Sequence, residues 1–500
     1  MRRRDMIELG IPSGDVPVAA RCLQIAAQQA GPKGLKKSVV RRRLRAVLEN
    51  PEAFATTDDP LADLAQALID RRDARDHFQE RPEPAPYRQW GEDLDEKSVR
   101  QMVNACRLPV AVQGALMPDA HLGYGLPIGG ILSTRNAVIP YAVGVDIACR
   151  MKLTVLDLPV SALGGQVDRL AKTLERETRF GIGARFRQPH DHEVMDEDWT
   201  LSPITRRVKD TAWAQLGSSG SGNHFVEFGV LTIDEQQRAA RRAEEGRLQA
   251  APEAGAAEAA APAGGSSRFG LEPGSYLALL SHSGSRGAGA NVAKHYSRLA
   301  MDLHPELPKE LKHLAWLDLD SEAGQEYWRA MNLMGRYAAA NHALIHRSIA
   351  KALKVDVLAD VENHHNFAWK EIHGGEEVIV HRKGATPAGR GVLGVIPGSM
   401  ATPAFVVQGR GEAESLRSAS HGAGRLMSRK KAKNSFTWSE TKKLLAERRV
   451  QLLSAGLDEV PMAYKDIHSV MAAQQDLVDI VGRFEPRLVK MAPPGERPED

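Results

Sequence analysis

The chain has 500 residues, 42% hydrophobic and 26% charged, with a net charge of +3. That length predicts two or three domains of a soluble globular protein with a sizeable core, and a charge this small excludes a generally basic nucleic-acid binder, so any basic surface must be local. No apolar stretch reaches transmembrane length, Met1-Arg2-Arg3-Arg4 leads into Asp5 and Glu8 rather than a signal-peptide core, and three cysteines cannot make a disulfide framework; together these place the protein in the cytoplasm.

From Ile11 to Phe78 the apolar residues recur at helical spacing: Val18, Cys22, Ile25 and Ala26 share one face, and Leu35, Val39, Val40, Leu44, Val47 and Leu48 another. A small helical domain over residues 1–86 is expected. Its second helix carries Lys36, Lys37, Arg41, Arg42, Arg43 and Arg45, which could meet a phosphate backbone or simply form a solvated face. Pro82, Pro84 and Pro86 read as a stiff linker, and the main domain, 90–500, begins near Trp90.

Leu108 to Ile139 is dense in glycine, proline and β-formers, with Met117 to Gly123 expected as a loop between strands. Within it, Asp119 and His121 could support a metal from behind its ligands, or Asp119 could merely hold a turn. Val145-Asp146-Ile147-Ala148-Cys149 sets a carboxylate and a thiolate three residues apart, a pair that can hold a metal ion or be a buried cysteine beside a capping aspartate. Strand is expected from Met151 to Leu156 and helix around Gln166 to Arg176. His190 and His192 lie in a charged loop and carry no expected chemistry.

Gly217 to Phe225, Gly-Ser-Ser-Gly-Ser-Gly-Asn-His-Phe, has the small residues that let backbone N–H groups approach an anion, without the lysine of a Walker loop or the spacing of a Rossmann fingerprint. Residues 231–271 collapse into alanine, glutamate, glycine and proline, read as a flexible surface insertion. His282-Ser283-Gly284-Ser285-Arg286-Gly287 repeats the small-residue theme with an arginine able to pair with phosphate. A long amphipathic helix is expected from about Glu322 to Leu353. Its His342 and His346 share a face, but the intervening Ala343, Leu344 and Ile345 lack the glutamate of a metalloprotease.

Glu362-Asn363-His364-His365-Asn366 adds another imidazole, and Val378 to Val407 reads as strand with glycine-rich loops, including Ile396-Pro397-Gly398-Ser399-Met400. In His421-Gly422-Ala423-Gly424-Arg425 the glycines leave the ring open, which suits either a nucleophile attacking phosphorus or a plain loop histidine. Arg425 and Arg429, in helical register, would hold a polyanion beside it. From Ser439 on, helix mixes with loop.

These segments, spread from Met117 to Lys490, resemble the RtcB-type RNA ligases, which join a 5′-hydroxyl end to a 3′-phosphate or 2′,3′-cyclic phosphate end in tRNA splicing or RNA repair. The resemblance implies an α+β fold, a mixed β core wrapped by helices. It implies Asp146, Cys149, His224, His282 and His365 as ligands for two manganese ions, with the cysteine bridging, and His421 as the guanylylated residue. Read from the donor set alone, one thiolate and three imidazoles would favour zinc. By the same resemblance GTP lies against Asn223, Phe225, Val226, Glu227, His365, Asn366, Pro397, Gly398, Ser399, Met400, Gly422, Ala423, Gly424, Tyr464 and Lys490. RNA phosphates fall to Arg286, Lys383, Arg425 and Arg429.

The sequence departs from the family pattern in two places. Ala148 and Arg150 flank Cys149 where the family usually has glycines, which sets a bulky cation beside the bridging thiolate, and Ala404 removes a hydroxyl expected near GTP. Two other classes are weighed against the ligase: a metal-dependent phosphoesterase or a 3′-phosphate guanylyl-capping enzyme, and a non-catalytic RNA binder.

Overall fold

The computed structural model describes residues 2–12, 15–30, 36–55, 58–77, 79–234 and 269–496. Most of the expected insertion, residues 235–268, and Leu35 of the expected helical face lie outside them. The chain divides into two compact units, the first being Met1–Glu80 with Tyr296–Trp316, the second Arg81–His295 with Leu317–Asp500.

The first unit contains the helices Arg3–Glu8, Val16–Gln29, Lys37–Glu49 and Ala62–His77. Ala19, Cys22, Leu44, Val47, Leu61 and Leu64 close its core, as the 3.6-residue spacing demands. Ile25, expected on that face, is 42% exposed, because Val16 and Ala19 set the buried stripe instead. On the cationic helix Arg43 pairs with Asp59 at 2.8 Å and Lys37 with Asp5 at 3.5 Å, while Arg41, Arg42 and Arg45 are exposed.

The second unit is α+β. Its larger sheet has eight strands, in the order Leu393–Ile396, Ala404–Gly409, Val478–Met491, Phe225–Ile233, Gly274–Ser283, Arg150–Leu156 and Val357–His364, with Gln451–Ser454 pairing beside Val478–Met491. All pairs along that path are antiparallel. A five-stranded sheet runs Tyr87–Gln89, Ala111–His121, Ile128–Thr134, Glu376–Lys383, Asn366–His373. Residues of both sheets, among them Ala115, Ile131, Val380, Phe405 and Val407, share one core.

Strand alternation decides which face of the larger sheet each residue serves. Leu279, Val226 and Phe228 share a core with Leu170 and Leu174 of the helix Val167–Glu177 and with Ile345 and Ile349 of the helix Glu322–Leu353. Met151, Leu153 and Leu280 point the other way.

In the proline segment, expected to be stiff, the Arg81 and Ala85 N–H groups donate to the Arg107 and Cys106 carbonyls at 2.9 and 2.7 Å. Two expectations need correction. Met117–His121 is strand, not loop; the sheet register shifts between Leu116 and His121, and the chain leaves the sheet only at Leu122. Arg150 is not beside the thiolate: alternation turns it to the helix-covered face, where it pairs with Glu362 as Lys152 pairs with Asp360 (2.9 Å) and Glu362 (3.0 Å).

Candidate active site and metal centre

Cys149 and His224 immediately precede strands, His282 is the penultimate residue of one, and His365 immediately follows one. Because those four strands are neighbours and antiparallel, two beginnings and two ends fall on the same edge of the sheet. Residues separated by more than two hundred positions thus arrive at one point. Asp146 joins them from the turn after the short helix Pro140–Val143, and Ala148 completes that turn at φ +56°, a conformation that glycine adopts without strain.

The donors form two buried triads, Asp146–Cys149–His224 and Cys149–His282–His365, each with ligand atoms within 4.8 Å of one another. Cys149 Sγ belongs to both, 3.3 Å from His224 Nε2 and 3.1 Å from His282 Nε2. His224 Nε2 lies 3.0 Å from Asp146 Oδ2, and His282 Nε2 lies 3.1 Å from His365 Nε2. Burial, with His224 nearby, drives His282 down to about 3, so its ring is neutral and a lone pair is available for a cation. Five converging donors, one of them shared by two groups, fit a pair of metal ions.

The surrounding loops are built to permit this approach. Asp146 Oδ1 accepts from the Ser285 N–H at 3.0 Å, and a Cβ on Gly284 would collide with the same carboxylate. His282 Nδ1 faces the Asn223 carbonyl at 3.1 Å, which turns Nε2 inward. Asn341, fully buried on the helix Glu322–Leu353, accepts from the Gly217 N–H at 2.9 Å and donates to the Gly284 carbonyl at 3.0 Å.

His421 stands next to this cluster, its ring centroid 4.9 Å from that of His365. Its Nδ1 is 2.7 Å from Asp119 Oδ2, which also accepts from the His421 N–H at 3.2 Å. Burial would lift the Asp119 carboxyl, but the His421 hydrogen bond and the His421 and Lys465 charges hold it below the usual carboxylate range. An ionised Asp119 favours the tautomer with the proton on Nδ1, which leaves the ring's lone pair on Nε2. The sequence left Asp119 open between a place behind the metal and a turn; in the structure its carboxylate lies against His421.

Both groups open into one cavity of about 390 Å³. Of the residues expected to meet GTP, Asn223, Phe225, Glu227, His365, Asn366, Pro397, Gly398, Ser399, Met400, Gly422, Ala423, Gly424 and Tyr464 line it, as do Lys383 and Arg425. Glu227 is buried there, and burial pushes its carboxyl well above the ordinary range. Burial likewise drives Lys383 down to about 7.

Four expected residues are not on the wall. Val226 and Lys490 are cross-strand partners on the helix-covered face, where the Lys490 ammonium donates to the Leu174 carbonyl at 3.2 Å. Arg286 is 2% exposed, donating to Ser218 Oγ at 3.1 Å and the Gly181 carbonyl at 3.2 Å. Arg429 pairs with Asp458 and Glu459, and the helix begins only at Arg429, so Arg425 is not in helical register with it. Arg425 instead reaches Glu459 Oε2 (3.2 Å), Tyr464 Oη (3.3 Å) and the Asp458 carbonyl (2.7 Å).

The sequence reading missed Leu122, Tyr124, Tyr141 and Glu459, all on the cavity wall. Ala404 lies there too, and the hydroxyl it lacks has a neighbour in Thr402, whose Oγ1 accepts from the Ser399 N–H at 2.7 Å.

The family model described as tRNA-splicing ligase RtcB matches residues 101–203 and 186–491. The chain is 30% identical over 430 residues to the RNA-splicing ligase RtcB1 of Escherichia coli, covering 80% of this chain and 95% of that protein. It is 30% identical over 468 residues to the tRNA-splicing ligase RtcB of Nanoarchaeum equitans, covering 79% and 91%. With a match that runs through both donor triads and His421 and identity of 30% over most of its length, the chain belongs to the RtcB family.

Proposed function

We propose that this RNA ligase is GTP-dependent and joins 3′-phosphate or 2′,3′-cyclic phosphate ends to 5′-hydroxyl ends, in tRNA splicing or RNA repair. The observation that carries the reading is the pairing of a thiolate shared by two donor triads with a histidine held through Nδ1 by Asp119, in one cavity. Asp146, Cys149, His224, His282 and His365 would hold two manganese ions, which when bound neutralise and polarise phosphoryl oxygens.

His421 Nε2 attacks the α-phosphorus of GTP: an N–P bond forms, the α–β phosphoanhydride breaks and pyrophosphate leaves. Asp119 keeps the proton on Nδ1 and offsets the positive charge that the ring acquires. The guanylate then passes to the RNA 3′-phosphate, restoring His421. Attack by the 5′-hydroxyl on that phosphorus releases GMP and seals the strand; a cyclic phosphate is first opened by water. Glu227, protonated by burial, and Tyr464 suit a nucleobase, while Lys383 and Arg425 suit RNA phosphates. Arg429 supports Arg425 through Glu459, and Arg286 braces the loop before His224 rather than touching RNA.

Three free cysteines fit a reducing cytoplasm, and among the described residues no helix is long and apolar enough to cross a membrane. Incubation with labelled GTP and manganese tests the reading. Acid-labile guanylate should appear on the protein and vanish in His421→Ala. A protein that stays unlabelled yet releases phosphate from RNA ends is a phosphoesterase, and the ligase reading falls.

A further inference from the structure

We propose that Tyr124, with Tyr141 beside it, is a stacking platform for the terminal nucleobase of an RNA end; the inference rests on the RNA-ligase reading and names how that site takes its polymer substrate. Tyr124 sits in the loop Leu122-Gly123-Tyr124-Gly125-Leu126-Pro127, between the strands Ala111–His121 and Ile128–Thr134. Its side chain is 66% exposed and that of Leu122 is 52% exposed, yet both border the cavity that holds His421 and the donor cluster. The Tyr141 ring lies 6.5 Å away, centroid to centroid, at 41°.

An exposed ring on a floppy loop carries no information, but this loop is clamped. The Gln101 amide holds Gly123 from both sides, accepting from its N–H at 3.0 Å and donating to its carbonyl at 2.6 Å. Lys383 Nζ donates to the Tyr124 carbonyl at 2.5 Å. A Cβ on Gly123 would stand 2.8 Å from the Leu126 carbonyl oxygen, and Gly125 has φ +71°, so the turn tolerates few other sequences. The ring is therefore presented on a rigid support, and a ligand meets it without paying to order the backbone.

The chemistry of the site narrows the occupant. An RNA end must be drawn out of any helix to reach His421, which exposes the flat faces of its last bases. Aromatic side chains bind such faces whatever the base, which suits an enzyme that must accept different ends. Lys383, joined to the Tyr124 backbone, places an amine next to the platform, and a neighbouring phosphate would favour its charged form. Tyr124 and Tyr141 come from the five-stranded sheet's loop and the helix Pro140–Val143, whereas Phe225, Glu227, Val489 and Met491 come from the larger sheet. The two sets suit polymer and nucleotide respectively.

The test uses the full-length protein with manganese and GTP, comparing wild type, Tyr124→Ala and Tyr124→Phe. RNA is supplied intact or with an abasic terminal residue, placed in turn at the 3′-phosphate and 5′-hydroxyl ends. With intact RNA, Tyr124→Ala should raise KM on the order of ten-fold and Tyr124→Phe should stay near wild type. For one of the two abasic RNAs KM should already be raised with wild type and rise no further with Tyr124→Ala. Guanylate labelling of His421 should be equal in all three proteins. An unchanged KM, or the same penalty on both abasic RNAs as on intact RNA, overturns the platform; lost labelling in Tyr124→Ala assigns the ring to GTP and overturns it as well. If wild type itself forms no guanylate, the ligase reading fails separately, and anisotropy of labelled RNA binding decides the platform by the same comparisons.

Discussion

Asn341 uses both ends of one amide on two different loops of the donor cluster, Gly217 on the approach to His224 and Gly284 between His282 and the Asp146 contact. Groups that orient ligands from behind typically contribute 10- to 100-fold in metal affinity. Asn341→Ala is accordingly expected to weaken manganese binding by roughly ten-fold or more, measured by calorimetry on metal-free protein. The control is Tyr337→Phe on the same helix, which removes a 2.7 Å buried hydrogen bond to the Ala212 carbonyl, away from the ligand loops. It should lower the thermal midpoint of the metal-free protein comparably and leave manganese affinity unchanged. Equal affinity loss in both variants would reduce Asn341 to a general packing role. Neither the sequence nor the family motifs marked Asn341, because its partners are backbone atoms of distant loops.

At the scale of elements, the strands Asn366–His373 and Glu376–Lys383 hold a buried ion pair whose strength depends on pH. Glu371 accepts from Arg382 at 2.5 and 3.1 Å and lies 2.8 Å from His373 Nε2. Burial opposes its ionisation, but the Arg382 charge and the His373 hydrogen bond outweigh burial and lower its pKa from 4.5 to about 2. A depressed carboxylate stabilises the fold above its unfolded value and loses that contribution as pH falls from about 4.5 towards 2, on the order of 3 kcal/mol in all. Urea unfolding should find wild type more stable than Glu371→Gln at pH 6, with most of the gap gone by pH 2.5. A gap that stays constant with pH would contradict the assignment.

Elements were legible where one local rule sufficed. The helix Glu322–Leu353 was readable, with approximate ends, because an apolar stripe runs its length; Lys354, in the left-handed conformation, closes it. The strand Val478–Met491, at the middle of the larger sheet, was not. Pro486 and alternating Arg483, Glu485 and Arg487 disguise it, and a register shift between Pro486 and Leu488 absorbs the proline. The same blindness explains Lys490 and Arg150: their positions in the chain were right, but which face each serves depends on pairing partners more than a hundred residues away. His421 was legible as an open imidazole, whereas Asp119, its orienting partner, was separable from an ordinary turn aspartate only once both were in place.

Over the whole molecule, the family match begins at residue 101, so the helical residues of Met1–Glu80 precede it. The donor cluster, His421 and Asp119 all lie in the second unit. There an antiparallel sheet converts four scattered segments into one edge, and a single sulfur serves two triads. The most direct measurement is electron paramagnetic resonance of the manganese-loaded protein with metal stoichiometry, for wild type and Cys149→Ser. Two manganese ions per chain with the signature of a coupled pair are expected, with loss of that coupling in Cys149→Ser. A single uncoupled ion in wild type, or coupling that survives removal of the thiolate, would contradict it.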